Sequence, residues 1–166
     1  LPPETVRDLY LAGILHDIGK LLIPANIVFK EGVLDDDERE TVKVHPLTGA
    51  RLLENMPLFA DIAPDVLHHH ERIDGKGYPK GLRGEDIPLN ARIISVAEAF
   101  DVMTEGIYKE PVTMEVAFEE LTRGSGRQFD GGVVQALIKE IEEGHPLSTC
   151  YTGSQELCPD PSDLMD

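Results

Sequence analysis

Apolar residues recur at helical spacing along most of positions 1–144, and no stretch shows a sustained alternation of apolar and polar positions. This pattern predicts an all-α protein in which amphipathic helices pack as a bundle. The segments that carry the pattern are predicted as helices over about 3–16, 35–55, 60–71, 89–104, 113–122 and 131–143.

Local signals mark several boundaries of these helices. Asp35 is predicted to cap the second helix as part of a capping box, and Pro46 is predicted to kink or restart it. Thr113 and Asp130 are predicted to cap the last two helices. The segment 74–88 is rich in glycine and proline and is longer than most connections, which marks it as a candidate functional loop.

Composition narrows the classes of function. The chain has 166 residues, enough for one domain with a real core, and no apolar run of the roughly 18 residues that a membrane span needs. Its formal net charge of −16 disfavours binding to a nucleic-acid backbone. An anionic small ligand would therefore need local cations, such as bound metal ions, within its site.

The end of the chain has a different character. Positions 145–166 are polar and acidic without helical periodicity, so this tail is predicted to be poorly ordered. Its two cysteines, Cys150 and Cys158, do not form a CxxC metal knuckle. The first residues do not have the features of a signal peptide, and a reducing cytoplasm is the expected location.

Imidazoles and carboxylates fall on the predicted inward faces of four segments. A single inward histidine is more often a hydrogen-bonded core residue, so only several such residues together indicate a metal site. Two adjacent pairs, His16–Asp17 and His69–His70, each direct two groups about 100° apart on a helix, and two such groups suit two metal ions or a bridge. Nitrogen and oxygen ligands with little sulfur favour iron, manganese, zinc or cobalt. The inward set is His16, Asp17, His45, His69, His70 and Asp101.

Four segments resemble successive signatures of the HD-GYP family. They are LHDIGKLLIP at 15–24, HPLTGARLL at 45–53, HHERIDGKGYPKGLRGEDIPLNARI at 69–93 and VAEAFDVMT at 96–104. The HD pair, His16-Asp17, is by itself a weak sign, because such pairs occur throughout a large phosphohydrolase superfamily. The HHExxDGxGYP run at 69–79 restricts the resemblance to the HD-GYP family. It implies a helical bundle of the HD-domain type over residues 1–144 that lacks its first helix or helices.

The resemblance also implies a metal centre and an activity. It implies two or three divalent ions, iron or manganese first, with zinc, cobalt or nickel as alternatives. Asp17 would bridge the metals, and Lys20 would contact the scissile phosphate. A hydroxide bridging the metals would hydrolyse cyclic di-GMP to linear pGpG or to GMP. The implied ligands are His16, Asp17, His45, His69, His70 and Asp101.

The loop Gly77-Tyr78-Pro79 resembles the family's namesake. In the family this loop shapes the mouth of the site and is implicated in contact with diguanylate cyclase (GGDEF) domains, whereas the residue types alone indicate only a turn. An upstream regulatory domain is a further implied partner, and a homodimer is left open. The expected setting is the bacterial cytoplasm.

Three departures keep alternatives open. A ligand that the family usually supplies upstream of the HD pair is not seen. Gly106-Ile107-Tyr108-Lys109 stands where an Arg-Pro-Tyr-Arg element is common, so Lys109 is the expected substrate contact there, and Glu98 replaces an aspartate. The alternatives are another HD-superfamily nucleotide phosphohydrolase, one acting on a different cyclic dinucleotide, and a catalytically weak sensor or interaction domain.

Overall fold

A computed structural model describes residues 1–106 and 110–144, and these residues form a helical protein. Within these ranges there is no β-ladder, and none of the helices is long and apolar enough to cross a membrane. The predicted all-α class is confirmed. The helices are α1 (Pro3–Leu15), α2 (Ala25–Val28), α3 (Asp36–Val42), α4 (His45–Glu54), α5 (Ala63–His68), α6 (Leu89–Glu105), α7 (Met114–Gly124) and α8 (Gly131–Glu142), with 3₁₀ turns at Ile18–Leu22, Ala60–Ile62 and Gly84–Asp86.

The caps predicted at Asp35 and Asp130 and the restart at Pro46 are confirmed, whereas Thr113 makes no side-chain capping bond. Asp35 accepts a hydrogen bond from the backbone N–H of Glu38, whose carboxylate accepts one from the Asp35 N–H, which completes the capping box. The chain restarts as α4 with Pro46 in its first turn. Asp130 accepts hydrogen bonds from two backbone N–H groups of α8, and Thr113 occupies the N-cap position of α7.

The predicted third helix is too long, and the paired site residues do not lie within helices. Residues 60–62 form a 3₁₀ turn, and α5 ends at His68 instead of Glu71. His16–Asp17 and His69–His70 therefore follow the last helical residues of α1 and α5. The predicted placement of each pair on a helix, with its two side chains about 100° apart, is wrong, because each pair lies where the helix has ended and the chain turns.

Two hydrophobic clusters form the core, and α6 contributes to both. The first joins α1, α4 and α5 to α6, and it lies next to the HD pair and the double histidine. The second joins α6 to α7 and α8. Buried members of the first are Ala12, Ala50, Leu53, Ile62, Ala63, Val66 and Ile94, and those of the second are Val96, Phe100, Ala117, Leu121, Phe129 and Val134.

A pair of glycines lets the segment after the HD pair approach α4 closely. A Cβ atom on Gly19 would overlap the carbonyl oxygen of His45 and lie 2.6 Å from the backbone nitrogen of Gly49. Only glycine allows two backbones to come this close. The contact places the 3₁₀ turn Ile18–Leu22 against the start of α4, and it thereby brings Asp17 next to His45.

Candidate metal centre

Three histidines of the predicted site are held in the same way at helix ends. In each, Nδ1 is hydrogen-bonded to the backbone carbonyl three residues earlier. Because a carbonyl oxygen only accepts hydrogen bonds, Nδ1 carries the proton, and Nε2 of the neutral ring presents its lone pair to the site. This arrangement fixes the ring and the tautomer, as is usual for metal-binding histidines. The pairs are His16 with Gly13 at 2.7 Å, His45 with Val42 at 2.8 Å and His69 with Val66 at 2.7 Å.

The free nitrogens converge on one another and on the carboxylate of Asp17. Nε2 of His45 lies 3.3 Å from Nε2 of His69 and 3.1 Å from Oδ1 of Asp17. Nε2 of His16 lies 3.4 Å from Oδ2 of Asp17. Among the described residues, the buried Oδ1 atom accepts no hydrogen bond of acceptable geometry. Lone pairs that face each other in a buried site are unfavourable unless a cation lies between them, so these residues fit a metal ion.

Two groups of side chains within this site have the spacing that a metal ion requires. In each group, one ligand atom per residue lies within 4.8 Å of the others. The carboxylate of Asp17 connects the groups, because Oδ1 faces His45 and Oδ2 faces His16. The geometry suits two ions that share one carboxylate. One group is His45, His69 and His70, and the other is His16, Asp17 and Glu98.

Glu98, rather than Asp101, is the carboxylate that α6 brings to the site. Asp101 is exposed and belongs to neither group, so its predicted inward position is wrong. Ala97, one helical turn before Asp101 on the same side of α6, is exposed as well. The stripe that faces inward contains Ala91 and Ile94, which are 0% and 5% exposed, and continues one turn later to Glu98. The apolar spacing of that stripe was the sequence signal that pointed to Glu98.

The site keeps Asp17 ionised. Burial by itself raises the pKa of this carboxyl, but the nearby imidazoles of His16 and His45 and the ammonium of Lys20 hold the pKa well below its usual range. Nζ of Lys20 lies 2.5 Å from Oδ2 of Asp17. Although burial lowers the pKa of His16, the adjacent Asp17 carboxylate raises it above the ordinary value. Asp17 is therefore a carboxylate at neutral pH, which is the form that binds a metal.

The double histidine is kept neutral. Burial, together with the neighbouring imidazoles, lowers the pKa of His69 to about 2 and that of His70 to about 3. Burial and the charge of Asp17 raise the pKa of Glu98. Neutral imidazoles present lone pairs at physiological pH, so the double histidine is in the protonation state that metal binding requires.

The predicted GYP loop lies against the double histidine. The ring of Tyr78 stacks on the ring of His70 with 4.9 Å between centroids and 28° between planes. Gly77 packs directly on the backbone of residues 71–72, and Pro79 follows on the exposed side. Lys109, the predicted substrate contact, lies outside the described residues, as do the two cysteines and the whole tail 145–166.

Glu71 was not among the sequence-predicted site residues, yet it is one of the most buried charged groups. It is 3% exposed, and its carboxylate accepts hydrogen bonds from three backbone N–H groups of the loop. The adjacent His68 is a member of neither group, and its Nδ1 lies 3.6 Å from Oε1 of Glu71. An acidic residue directly after a double histidine and before a glycine-rich loop was the sequence signal for Glu71.

Comparison with known proteins relates this chain to HD-domain phosphodiesterases. Residues 1–133 match the HD domain family. A cyclic di-GMP phosphodiesterase response regulator of Xanthomonas campestris is 44% identical over 142 residues, which cover 84% of this chain and 38% of that protein. A 3'3'-cGAMP-specific phosphodiesterase of Vibrio cholerae is 38% identical over 138 residues, which cover 80% of this chain and 26% of that protein. The chain thus spans well under half the length of these relatives.

A solved structure supports the same fold. An HD-GYP-type protein of Bdellovibrio bacteriovorus superposes with a TM-score of 0.69 at 25% sequence identity. The superposition covers 86% of this chain and 45% of that one. The helical arrangement that brings the histidines together is therefore shared with that protein.

Proposed function

This chain belongs to the HD domain family, and within it to the HD-GYP group, and from that premise we propose that it is a metal-dependent phosphodiesterase that hydrolyses cyclic di-GMP to linear pGpG or to GMP. The observation that carries the proposal is the convergence of the Nε2 atoms of His16 and His45 on the Asp17 carboxylate, with Nε2 of His69 next to that of His45. The relative from Xanthomonas campestris supports the choice of substrate.

The proposed cofactor is a pair of divalent ions, iron or manganese, with a third ion or zinc, cobalt or nickel as alternatives. Imidazole nitrogens and carboxylate oxygens without thiolate are the ligands that these ions accept. When bound, such ions supply Lewis-acid stabilisation of a phosphoryl group and lower the pKa of water. The proposed ligands are His16, Asp17, His45, His69, His70 and Glu98, with Glu98 in the role first predicted for Asp101.

Lys20 is the proposed substrate contact closest to the metal ligands. Its ammonium pairs with Oδ2 of Asp17 at 2.5 Å, and the two side chains are 28% and 33% exposed. The ammonium is thus partly open to solvent and able to contact a nonbridging phosphate oxygen next to the metals. A cation held in this position stabilises the charge that develops in the transition state, an effect of about 10²- to 10³-fold for one placed donor.

The three histidines held by backbone carbonyls contribute preorganisation. Their rings are oriented before any ion binds, so little reorganisation is needed when substrate enters. The chain therefore offers fixed ligands and one partly exposed ammonium, and this combination suits hydrolysis of a phosphodiester by water without a covalent enzyme intermediate.

A second candidate substrate is 3'3'-cGAMP, because the relative from Vibrio cholerae is a phosphodiesterase specific for it. The metal centre would be the same for both dinucleotides, and the base-contacting residues would decide between them. The remaining alternative is a weak catalyst that acts as a sensor, and the six proposed ligands argue against it.

Turnover by metal-loaded protein tests the proposal. The protein is purified without oxygen, loaded with iron or manganese, and incubated separately with cyclic di-GMP and 3'3'-cGAMP, and products are followed by chromatography. We expect linear pGpG or GMP from cyclic di-GMP and no product when a chelator has removed the metal. Absence of turnover with both metals, alongside tight binding of the dinucleotide, would contradict the enzyme proposal and favour the sensor.

Other features remain predictions of the resemblance. One is contact between the loop Gly77-Tyr78-Pro79 and diguanylate cyclase domains. The others are an upstream regulatory domain, a homodimer and a bacterial cytoplasmic location. Lys109 remains a predicted substrate contact. The chain covers 38% of the Xanthomonas campestris relative, so the longer proteins have room for such regulatory parts.

A further inference from the structure

The carboxylate of Glu71 clamps the loop that carries Tyr78. Its Oε1 accepts hydrogen bonds from the backbone N–H groups of Lys80 and Gly81 at 2.6 and 3.1 Å, and its Oε2 accepts one from Leu82 at 3.0 Å. The side chain is fully buried. A buried carboxylate is costly unless its lone pairs are satisfied, and charge-assisted bonds to three consecutive amides satisfy this one.

The rest of the loop folds back on the same segment. The backbone N–H of Tyr78 donates to the carbonyl of His70 at 3.3 Å, and that of Gly84 donates to Ile73 at 3.2 Å. A Cβ on Gly77 would overlap the backbone of residues 71–72. The loop is therefore pinned on both sides of Tyr78, and its aromatic ring has a defined place next to His70.

His70 differs from the other three histidines of the centre. His16, His45 and His69 are each hydrogen-bonded through Nδ1 to the backbone carbonyl three residues earlier. Among the described residues no such bond to His70 is formed, and its Nδ1 lies 3.8 Å from Oε2 of Glu98, which is too far for a hydrogen bond. The orientation of its ring must come from packing.

The packing partner with the most parallel ring is Tyr78. The planes of Tyr78 and His70 are 28° apart, against 42° for His69 and 85° for His45. Nζ of Lys43 lies 5.9 Å from the Tyr78 ring centroid and adds a cation–π contact to the same ring. Tyr78 thus does for His70 what a backbone carbonyl does for each of the other three.

We propose that Glu71 is a positioning residue of the metal centre: by holding residues 80–82 it fixes Tyr78 against His70, and so sets the orientation of the His70 imidazole toward the metal. The inference rests on the proposed metal centre and assigns the GYP loop a role before substrate arrives. It differs from a role of Tyr78 in substrate binding alone, which would leave metal affinity in the absence of substrate unchanged.

Metal binding without substrate tests the proposal. Dissociation constants are measured by chelator competition, and the visible spectrum of the cobalt(II)-loaded protein reports the ligand arrangement. Tyr78→Leu removes the ring, Tyr78→Phe keeps it, and Glu71→Gln places an amide N–H against a backbone donor. We expect Tyr78→Leu and Glu71→Gln to weaken metal binding by about 10- to 100-fold and alter the spectrum, and Tyr78→Phe to match the parent.

Val134→Ala is the matched control for a general loss of stability. Val134 is 2% exposed in the second core cluster, away from the metal centre. We expect this variant to melt at a lower temperature with unchanged metal affinity and spectrum. If Glu71→Gln fails to fold by circular dichroism, Glu71→Asp takes its place, because it keeps the charge but shortens the reach to the N–H groups of residues 80–82.

Parent-like metal affinity and cobalt spectrum in either Tyr78→Leu or a folded Glu71 variant would overturn the inference. Equal losses in Tyr78→Phe and Tyr78→Leu would also overturn it, because the hydroxyl and not the stacked ring would then matter. A parent protein that binds no divalent metal would instead refute the proposed function, so the two failures are distinguishable.

Discussion

Nε2 of His45 faces Nε2 of His69 at 3.3 Å, and the other nitrogen of each ring is hydrogen-bonded to a carbonyl. Two neutral rings held in this way cannot hydrogen-bond to each other, so a cation between them relieves a repulsive contact. We therefore expect Mn²⁺ or Fe²⁺ to raise the melting temperature. At a free metal concentration of 100 Kd the stabilisation is about 2.7 kcal/mol.

Calorimetry of parent and His69→Ala proteins checks this expectation. The variant lacks one of the two facing nitrogens, so its melting temperature should respond much less to the same metal. A parent whose melting temperature is indifferent to both ions would contradict the proposed centre.

Asp17 and Lys20 are expected to separate metal retention from catalysis. Asp17 contributes both oxygens to the centre, so Asp17→Ala should lose the metal and the activity together. Lys20→Ala should keep its metal and lose about 10²- to 10³-fold in kcat/KM. Metal analysis of the purified variants, combined with steady-state kinetics, makes the comparison. Full metal content in Asp17→Ala would refute the assignment of Asp17 as a bridging ligand.

Glu98 and Asp101 provide a direct test of which carboxylate of α6 binds metal. Glu98 belongs to the group with His16 and Asp17, whereas Asp101 is exposed. We expect Glu98→Ala to weaken metal binding and Asp101→Ala to retain the parent affinity, both measured by chelator competition. The opposite result would restore the assignment first made from the sequence.

Gly19 is expected to tolerate no side chain. Gly19→Ala would force the 3₁₀ turn Ile18–Leu22 away from α4, at a cost of about 1–3 kcal/mol in the free energy of unfolding, and would weaken metal binding by moving Asp17 from His45. Gly13→Ala is the control, because a Cβ there meets no atom within 4 Å. Denaturant unfolding and metal titration of both variants decide; a Gly19→Ala protein as stable as the parent would contradict the close approach.

Asp65 is expected to make stability depend on pH. Burial, and to a lesser extent the charge of Asp8, raises the pKa of Asp65 in the folded state, despite a 3.0 Å hydrogen bond from Asn90. A raised folded pKa means that the contribution to stability is fully present below the unfolded pKa of about 3.9 and is lost as pH rises through the folded value.

Asp65→Asn removes this titration while leaving a side-chain oxygen to accept the bond from Asn90. The parent should therefore lose stability relative to the variant as pH rises from about 4 to 7, in denaturant melts of metal-free protein. A stability difference that does not change over this interval would contradict the shifted pKa. The comparison cancels the titration of the site histidines, which both proteins share.

Local chemistry explains what the sequence could predict. The capping residues Asp35 and Asp130 and the helix restart at Pro46 depend on neighbours within a few positions, and all three are confirmed. The centre was partly predictable for the same reason: His16 and His69 lie near helix ends that periodicity locates to within a few residues. The inward imidazoles and carboxylates indicated a metal site by themselves, whereas the substrate was predicted only from the resemblance to a known family.

What could not be predicted depends on tertiary contacts. Asp101 and Glu98 lie on one helix three residues apart, and the choice between them follows from which face α6 turns toward α1 and α5. Glu71 has a role only because residues 80–82 return to it. The stripe through Ala91 and Ile94 favours Glu98, but which stripe of α6 is buried, like the return of residues 80–82 to Glu71, depends on where distant segments meet.

The facing imidazoles also bear on how the chain folds. In the language of energy landscapes, most contacts of this protein are mutually supportive, whereas the metal-free centre is locally frustrated, because native topology gathers acceptors that repel. Without metal, the centre is therefore expected to be locally less stable than the rest of the fold. We expect native-state hydrogen exchange to be fastest at the ends of α1 and α5 without metal, so that metal supply sets the local order of this end of the molecule.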